Sequence, residues 1–401
     1  MYLHQKDIID QSSRYKLLAW ACGLGKTMAA IRLAEKNSNR CLIISPKSLT
    51  KNWEREIEKW GTQKEFKWKI VTKENFRKDW KILAQENFDG LICDELHFFL
   101  GIKSMMSKNL IKYLKQVKPN CLYGLTATPY TSSPWSVFML ETIFGKNPNY
   151  ADYRYRYFND VKMGSRYIPV VKKGIEKEIA QKIKAVGSVV DRSDVFDVPD
   201  VIYETEYFDL TQEQKKAIQE VENNPRSVVH VVRWTHIHEI MGGTLKGEDN
   251  IHSIRNGKIP RLKEYAEQYK KFVVFCRYTA ELEAIQRELG DRVVVVNGET
   301  TGRDEIFEKA NQSDDTILTI SAQISVGYNL PTYELVIFYS NDFSYINRIQ
   351  AEGRVQRGEY RTLRTIIDFV VQGSVDEDVV NALKRKENFL IETYKRDGQK
   401  K

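Results

Sequence analysis

The chain has 401 residues, 42% of them hydrophobic and 29% charged, with a formal net charge of +8. That is enough chain for two good cores, in the composition range of a soluble globular protein. Five scattered cysteines with no C-x-x-C pair give neither a disulfide framework nor a zinc site, and no apolar run approaches the length of a membrane span. The excess of base suits a polyanionic partner, although both signs are interspersed along the chain.

The N-terminal stretch MYLHQKDIID lacks the apolar core of a signal peptide, so a cytoplasmic, non-membrane protein is expected. An apolar run, Tyr15–Trp20 (YKLLAW), leads into ACGLGKT and then into MAAIRLAEK, where Met28, Ile31, Leu33 and Ala34 fit one helix face. Strand, glycine turn and helix form the setting of a phosphate loop. Gly23 and Gly25 let successive N–H groups point at one phosphate, and the helix N-terminus adds its positive dipole end. Lys26 would reach the β- and γ-phosphates of ATP, and the Thr27 hydroxyl would ligate Mg²⁺. The spelling departs from G-x-x-x-x-G-K-[ST] at its first glycine, where Trp20 stands.

Further apolar runs follow at Cys41–Ser45, Lys67–Val71, Gly90–Cys93 and Cys121–Thr126, separated by charged segments of helical period. Continuous apolar strands alternating with helices imply a parallel sheet covered on both faces. From about Thr131 to Gly187 the rhythm lapses into a charged, aromatic section of helical character. There the interleaved Tyr150, Tyr153, Arg154, Tyr155, Arg156 and Tyr157 read either as a stacking platform for single strands or, with more weight, as an amphipathic helix whose rings pack inward. The strand pattern restarts at Phe272–Cys276, Val293–Val296, Thr316–Ile320, Leu335–Tyr339 and Thr365–Val370. The expected architecture is therefore α/β, two tandem domains of parallel sheet flanked by helices, with helical insertions. The tail YKRDGQKK reads as disordered.

Two strand ends and one helix carry further chemistry. ICDELH places Asp94 and Glu95 at the carboxyl end of a strand, where open α/β sheets bind ligands. Asp94 would hold the Mg²⁺ and Glu95 would orient and deprotonate the attacking water. LTATP brings the hydroxyls of Thr126 and Thr128 to another strand end, as candidates for coupling the nucleotide site to a polymer surface. IQAEGRVQRG spells Q-x-x-G-R-x-x-R with Gln350, Gly353, Arg354 and Arg357, so two guanidiniums three residues apart share a helix face and can address a triphosphate. His230, His236 and His238 lack partners at metal spacing and read as structural.

In this order, LHQKD, GLGKT, SPKSLTKNWEREIEKW, DELH, LTATP, FVVFCRY, VNGETTGRDEIFE, SVGYNLP and QAEGRVQR resemble the superfamily 2 helicase core, and within it the Swi/Snf-like translocases. The resemblance covers nearly the whole chain. It implies two RecA-like domains: residues 1–185, with a helical insertion over about 131–185, and residues 186–401, with the arginine fingers and a brace-like C-terminal helix. It implies ATP and Mg²⁺ as cofactors, with Gln5 at the adenine, Gly23, Leu24, Gly25, Lys26, Thr27 and Gly327 at the nucleotide, and His97 with Thr126 and Thr128 as couplers. It also implies that Lys47, Ser48, Arg303 and Asn329 touch a nucleic-acid backbone, contacts that set affinity without reading sequence.

The middle section is similar to the small annealing-helicase members, which points to DNA that is duplex, forked or single-stranded, in replication, recombination or repair, and to a minimal motor of phage type. RNA ranks behind DNA, a non-hydrolysing ATP-sensing clamp is the rival from another class, and a protein loading partner is left open. Two departures stand out: Trp20 and Ala21 replace the acidic pair usual in the Swi/Snf-like loop, and Q-x-x-G-R is closer to the general superfamily spelling.

Overall fold

The computed structural model describes residues 1–394 apart from 132, 164–165, 198, 224–229, 247–250, 325–327 and 357–361. Two compact units divide the chain, one built on Met1–Phe196 and one on Asp197–Arg385. The first opens with α1 (Leu3–Asp10), β1 (Tyr15–Trp20), α2 (Lys26–Asn37), β2 (Arg40–Ser45), α3 (Thr50–Trp60), β3 (Lys67–Thr72) and α4 (Lys73–Leu83). It continues through β4 (Gly90–Cys93), α5 (Met105–Val117), β5 (Cys121–Leu125), α6 (Pro134–Ile143), α7 (Tyr150–Tyr157), β6 (Phe158–Met163), β7 (Arg166–Val171), α8 (Glu176–Lys184) and β8 (Gly187–Val190).

Six of these strands form one sheet in the order β3-β2-β4-β5-β1-β8, and every pairing in it is parallel. Successive side chains on a strand point to opposite faces, so an apolar run is kept only where both faces are covered. That is what the sheet shows. Leu17, Ala19, Leu42, Ile44, Leu91 and Cys93 pack on one face with Phe76 of α4 and Leu110 of α5. Leu18, Trp20, Cys41, Ile43 and Ile92 pack on the other with Ala30 and Leu33 of α2 and Trp53 of α3.

The second unit runs through β9 (Val201–Phe208), α9 (Gln212–Asn223), α10 (His230–Met241), β10 (Thr244–Lys246), β11 (Ile251–Ser253), α11 (Lys258–Gln268), β12 (Phe272–Cys276), α12 (Thr279–Leu289) and β13 (Val293–Val296). Then come α13 (Arg303–Gln312), β14 (Ile317–Ser321), β15 (Leu335–Phe338), α14 (Tyr345–Val355), β16 (Arg364–Val371) and α15 (Val375–Tyr394), which belongs to this unit as far as Arg385. Its six-stranded sheet has the order β13-β14-β12-β15-β16-β9 and is again parallel throughout. Two parallel sheets flanked by helices match the expected tandem RecA-like arrangement. Among the described residues, no helix is long and apolar enough to cross a membrane.

Three details depart from the sequence reading. Strand β8 pairs with β1, so the first unit runs past residue 185. Strand β9 is a sixth strand where five were expected. It pairs on one side only, with β16, and as an edge strand its sequence VIYETEYF mixes polar with apolar residues and has none fully buried. The section after Thr131 holds a hairpin, β6 with β7, as well as helices. Of the aromatic run in α7, Tyr153 and Tyr157 are buried in the core and Tyr150 stacks on Trp135 with centroids 4.7 Å apart, while Tyr155 is exposed.

A buried ion cluster ties α15 to the second sheet. Lys258 donates to Asp376 Oδ2 at 2.7 Å and to the Tyr339 carbonyl at 2.8 Å, and His238 Nε2 lies 3.0 Å from Asp376 Oδ1. Arg277 donates to His238 Nδ1 at 3.2 Å, an arrangement that assigns the ring proton to Nε2, facing Asp376. Burial alone would raise the Asp376 carboxyl, but Lys258 and His238 outweigh it and hold its pKa at about 2 instead of 3.8. A depressed carboxyl stabilises the fold above its unfolded pKa, and that contribution is lost as pH falls through the folded value. Between pH 4 and pH 2, the wild type should therefore lose about 2 kcal/mol more stability than Asp376→Asn, measured by urea unfolding. Equal losses in the two proteins would exclude this assignment.

Candidate nucleotide-binding and catalytic site

The phosphate loop is assembled from three elements of the first unit. Strand β1 ends at Trp20 and α2 begins at Lys26, and between them Gly23 and Gly25 take φ values of 83° and 74°. Only glycine adopts such left-handed backbone without strain. From α1, the buried Gln5 clamps the loop: its Nε2 donates to the Leu24 carbonyl at 3.0 Å, and its Oε1 accepts from the Tyr2 N–H at 2.8 Å. His4 Nε2 lies 3.0 Å from the same carbonyl, and burial lowers its pKa. Trp20, in place of the usual first glycine, is core: it is fully buried and its Nε1 donates to Ser188 Oγ at 2.9 Å, tying β1 to β8.

Lys26 folds back over the loop, donating from Nζ to the carbonyls of Trp20 at 2.8 Å and Ala21 at 3.2 Å. Its ammonium is thus held at the mouth of the loop. Thr27 follows in the first turn of α2, half-buried. A Cβ added at Gly25 would come within 2.1 Å of Gln5 Nε2. Gly25→Ala must therefore either displace Gln5 or distort a left-handed residue, a backbone cost of about 1–2 kcal/mol before any clash. The expected result is a lower melting temperature, from the strain, and weaker ATP binding by calorimetry, from the displaced Gln5 clamp. Unchanged affinity would mean that the clamp is not part of the site.

Two acids stand at the end of β4, and β4 neighbours β5, which neighbours β1. That order puts the loop, the acids and the threonines along one carboxyl edge. The Asp94 N–H bonds the Ile44 carbonyl at 2.8 Å. Its carboxylate accepts from Trp53 Nε1 at 2.8 Å and from the Glu95 N–H at 3.0 Å. Burial first and the neighbouring Glu95 second raise its pKa to about 7, against the pull of Trp53, the Glu95 N–H and Lys26. Glu95 has φ 48° and ψ 55°; a non-glycine residue in left-handed backbone at a strand end is the kind of strain that collects at functional sites. Its Oε2 lies 3.2 Å from His97 Nδ1, which is 3.4 Å from Thr126 Oγ1. Thr126 Oγ1 in turn accepts from the Thr128 N–H at 3.0 Å. The three residues expected to couple thus form one buried chain leading away from Glu95. Lys47 and Ser48 sit exposed on a 3-10 turn directly after β2.

The second unit presents its candidates on α14 and nearby loops. Ser344 caps the helix through the Asn347 N–H at 3.3 Å. Tyr345, Arg348, Ala351, Glu352 and Val355 form its buried face. Gln350 is buried too. Arg354 lies over the Tyr328 ring at 5.8 Å and donates to the Tyr328 carbonyl at 3.4 Å. Arg357 and Gly327 lie outside the described residues. Arg303 braces its own loop, donating to the carbonyls of Thr300, Asn297 and Gly298 at 3.0, 2.9 and 2.6 Å. Asn329 is exposed, with its carbonyl accepting from Asn311 Nδ2 at 2.9 Å.

Comparison with known proteins finds a family match in each unit. Residues 4–131 match the family described as type III restriction enzyme, res subunit, and residues 257–359 match the helicase conserved C-terminal domain. The chain carries a superfamily 2 helicase core. An uncharacterized ATP-dependent helicase of Mycoplasma genitalium is 23% identical to this core over 95% of the chain and 40% of its own length. A SWI/SNF-related matrix-associated actin-dependent regulator of chromatin, subfamily A-like protein 1, of Xenopus tropicalis is 24% identical over 90% of the chain and 41% of its own length. The chain therefore spans about two fifths of these relatives. The Pyrococcus furiosus Hef helicase domain shares the fold, with a TM-score of 0.55 and 15% identity over 96% of this chain and 98% of that one.

Two residues of the helicase core carry site geometry that their types alone do not announce. Trp53 is one, through its bond to Asp94. Its signal was position: a tryptophan in the helix that follows the second strand. Arg348 is the other. It pairs with Glu352 and Asp368 and donates to Asn341 Oδ1 at 3.0 Å, fixing α14 to β16. Six residues before Arg354, it looks like one more basic residue of a helix, and only burial reveals it as a positioning residue.

Proposed function

We propose that this helicase core is an ATP-dependent DNA translocase acting on duplex, forked or branched DNA. The observation that carries the reading is the shared carboxyl edge that joins the glycine loop, Lys26, Asp94 and Glu95. Gly23–Thr27 would hold the phosphates and Gln5 the adenine side. The Thr27 hydroxyl and Asp94 carboxylate are hard oxygen donors of the kind Mg²⁺ takes. Burial raises the pKa of Asp94, and a cation beside it would restore its negative charge, so these residues fit the metal. Bound Mg²⁺ would neutralise phosphate charge; Glu95 would orient and deprotonate the water. Arg354 and Arg357 are assigned to the γ-phosphate, with Gln350 beside them, and His97, Thr126 and Thr128 to coupling. Lys47, Ser48, Arg303 and Asn329 are assigned to the nucleic-acid backbone.

The choice of DNA is supported by relatives whose names refer to chromatin and by the middle-section resemblance, and the absence of a spanning helix among the described residues suits a cytoplasmic motor in replication, recombination or repair. The test is the ATPase rate of the full chain alone and with single-stranded, duplex and forked DNA or RNA, each at two salt concentrations. Stimulation by duplex or forked DNA, weakening as salt rises, is the expected result. Stimulation by RNA alone would overturn the DNA assignment, and ATP binding without hydrolysis under every condition would leave a clamp.

A further inference from the structure

The hairpin of β6 and β7 projects from a fixed base. At the base, Phe158 stacks on Trp135 with centroids 4.9 Å apart, Tyr153 and Tyr157 are buried beside it, and the Lys172 N–H bonds the Tyr157 carbonyl at 2.9 Å. Above the base, the strands pair in continuous antiparallel register from Phe158↔Val171 to Met163↔Arg166. Residues 159–162 and 166–170 are all exposed. Successive residues alternate between the faces of a ribbon, so neither face is covered. Tyr167 is 66% exposed, Val161 44%, Ile168 42% and Val170 45%, with Tyr155 at the foot of the ribbon 83% exposed. A two-stranded ribbon that buries neither face gains little stability by itself, and apolar surface displayed in this way marks a binding site.

Charge selects the occupant. Over residues 158–173 the bases Lys162, Arg166, Lys172 and Lys173 face one acid, Asp160, and Asp160 is paired with Arg154 at 2.7 Å. The register sets Lys162 opposite Tyr167 on one face, and Arg166 shares the other with Val161, Ile168 and Val170. A cation beside an exposed ring is the combination that takes up unpaired nucleotides, the ring stacking on the base and the cation meeting the phosphate. Pro169 in β7 removes an edge donor, and the flanking cations repel a second copy, so strand addition between two molecules is disfavoured.

We propose that the β6–β7 hairpin is a nucleic-acid-binding ribbon that stacks unpaired bases on Tyr167 and holds the adjoining phosphates with Lys162 on the same face, while Arg166 meets the backbone from the other face. This rests on the reading of DNA as the partner. The test uses the full chain and fluorescence anisotropy with two probes, a forked DNA with unpaired thymine arms and a blunt duplex of equal length. Tyr167→Ala should weaken fork binding about tenfold, within the range of one stacked base, and leave blunt-duplex binding unchanged. Tyr167→Phe should retain fork binding, because the ring stays. Lys162→Glu with Arg166→Glu should weaken fork binding and flatten its salt dependence.

Wild-type fork affinity in Tyr167→Ala, an equal loss on both probes, or a change in sedimentation with fork binding intact would each overturn the ribbon assignment. The translocase reading fails separately, through an ATPase that no nucleic acid stimulates, because the anisotropy comparison does not depend on turnover.

Discussion

Glu95→Gln should slow nucleic-acid-stimulated ATP turnover by ~10²–10⁴-fold, the usual contribution of a positioned general base, while ATP binding persists. The substitution keeps the shape of the side chain and removes only its ability to take a proton. It changes neither the left-handed backbone at residue 95 nor the hydrogen bond from the residue 95 N–H to Asp94 Oδ1. Asp94 loses a neighbouring negative charge that raises its pKa, so its carboxyl stays available as an ionised donor. The comparison requires turnover by a coupled assay and nucleotide affinity by calorimetry on the same preparation. Wild-type turnover would remove Glu95 from the role of base. Loss of both binding and turnover would point to a structural role for the strand end.

Lys26→Ala should reduce turnover by at least ~10²–10³-fold, the effect of deleting one charged or polar donor aimed at the developing charge. Unlike Glu95→Gln, it should also weaken ATP binding, because the ammonium is needed in the ground state. Two further consequences follow from its contacts. The carbonyls of Trp20 and Ala21 lose their common donor, and Asp94 loses the nearby positive charge that lowers its pKa. Lys26→Arg separates charge from shape: it keeps the positive charge but presents a planar fork where the loop holds a compact ammonium. Partial recovery in Lys26→Arg would show that charge carries part of the effect. Full activity in Lys26→Ala would exclude the loop as a phosphate site.

Much of the fold was legible because of how parallel sheets are buried. Strands such as CLIIS and FVVFC lie between two helical layers, so both faces must be apolar and the pattern is continuous. Strand β9 escaped that signal because it lies at an edge, and VIYETEYF can expose Tyr203 and Tyr207. The β6–β7 hairpin escaped because only its base, at Phe158 and Val171, enters a core, so no hydrophobic period marks the rest of it. The aromatic run before it was legible as packing, since Tyr153 and Tyr157 recur at helical spacing and do face inward.

By itself, the sequence determined the two-domain α/β plan, the loop at Gly23–Thr27 and the acids at Asp94 and Glu95. These depend on local rules: backbone conformation that favours glycine, strand ends that face a ligand, and residue types tied to one chemistry. Tertiary structure alone decided that Gln5 clamps Leu24, that Trp53 holds Asp94, that Arg348 anchors α14, and that Lys258, His238 and Asp376 share one buried cluster. Each of these joins residues far apart in the chain, or depends on burial that residue type does not encode. Whether a tryptophan, a glutamine or an arginine serves a core or a site is decided by what folding places against it, and the sequence around that residue does not record this.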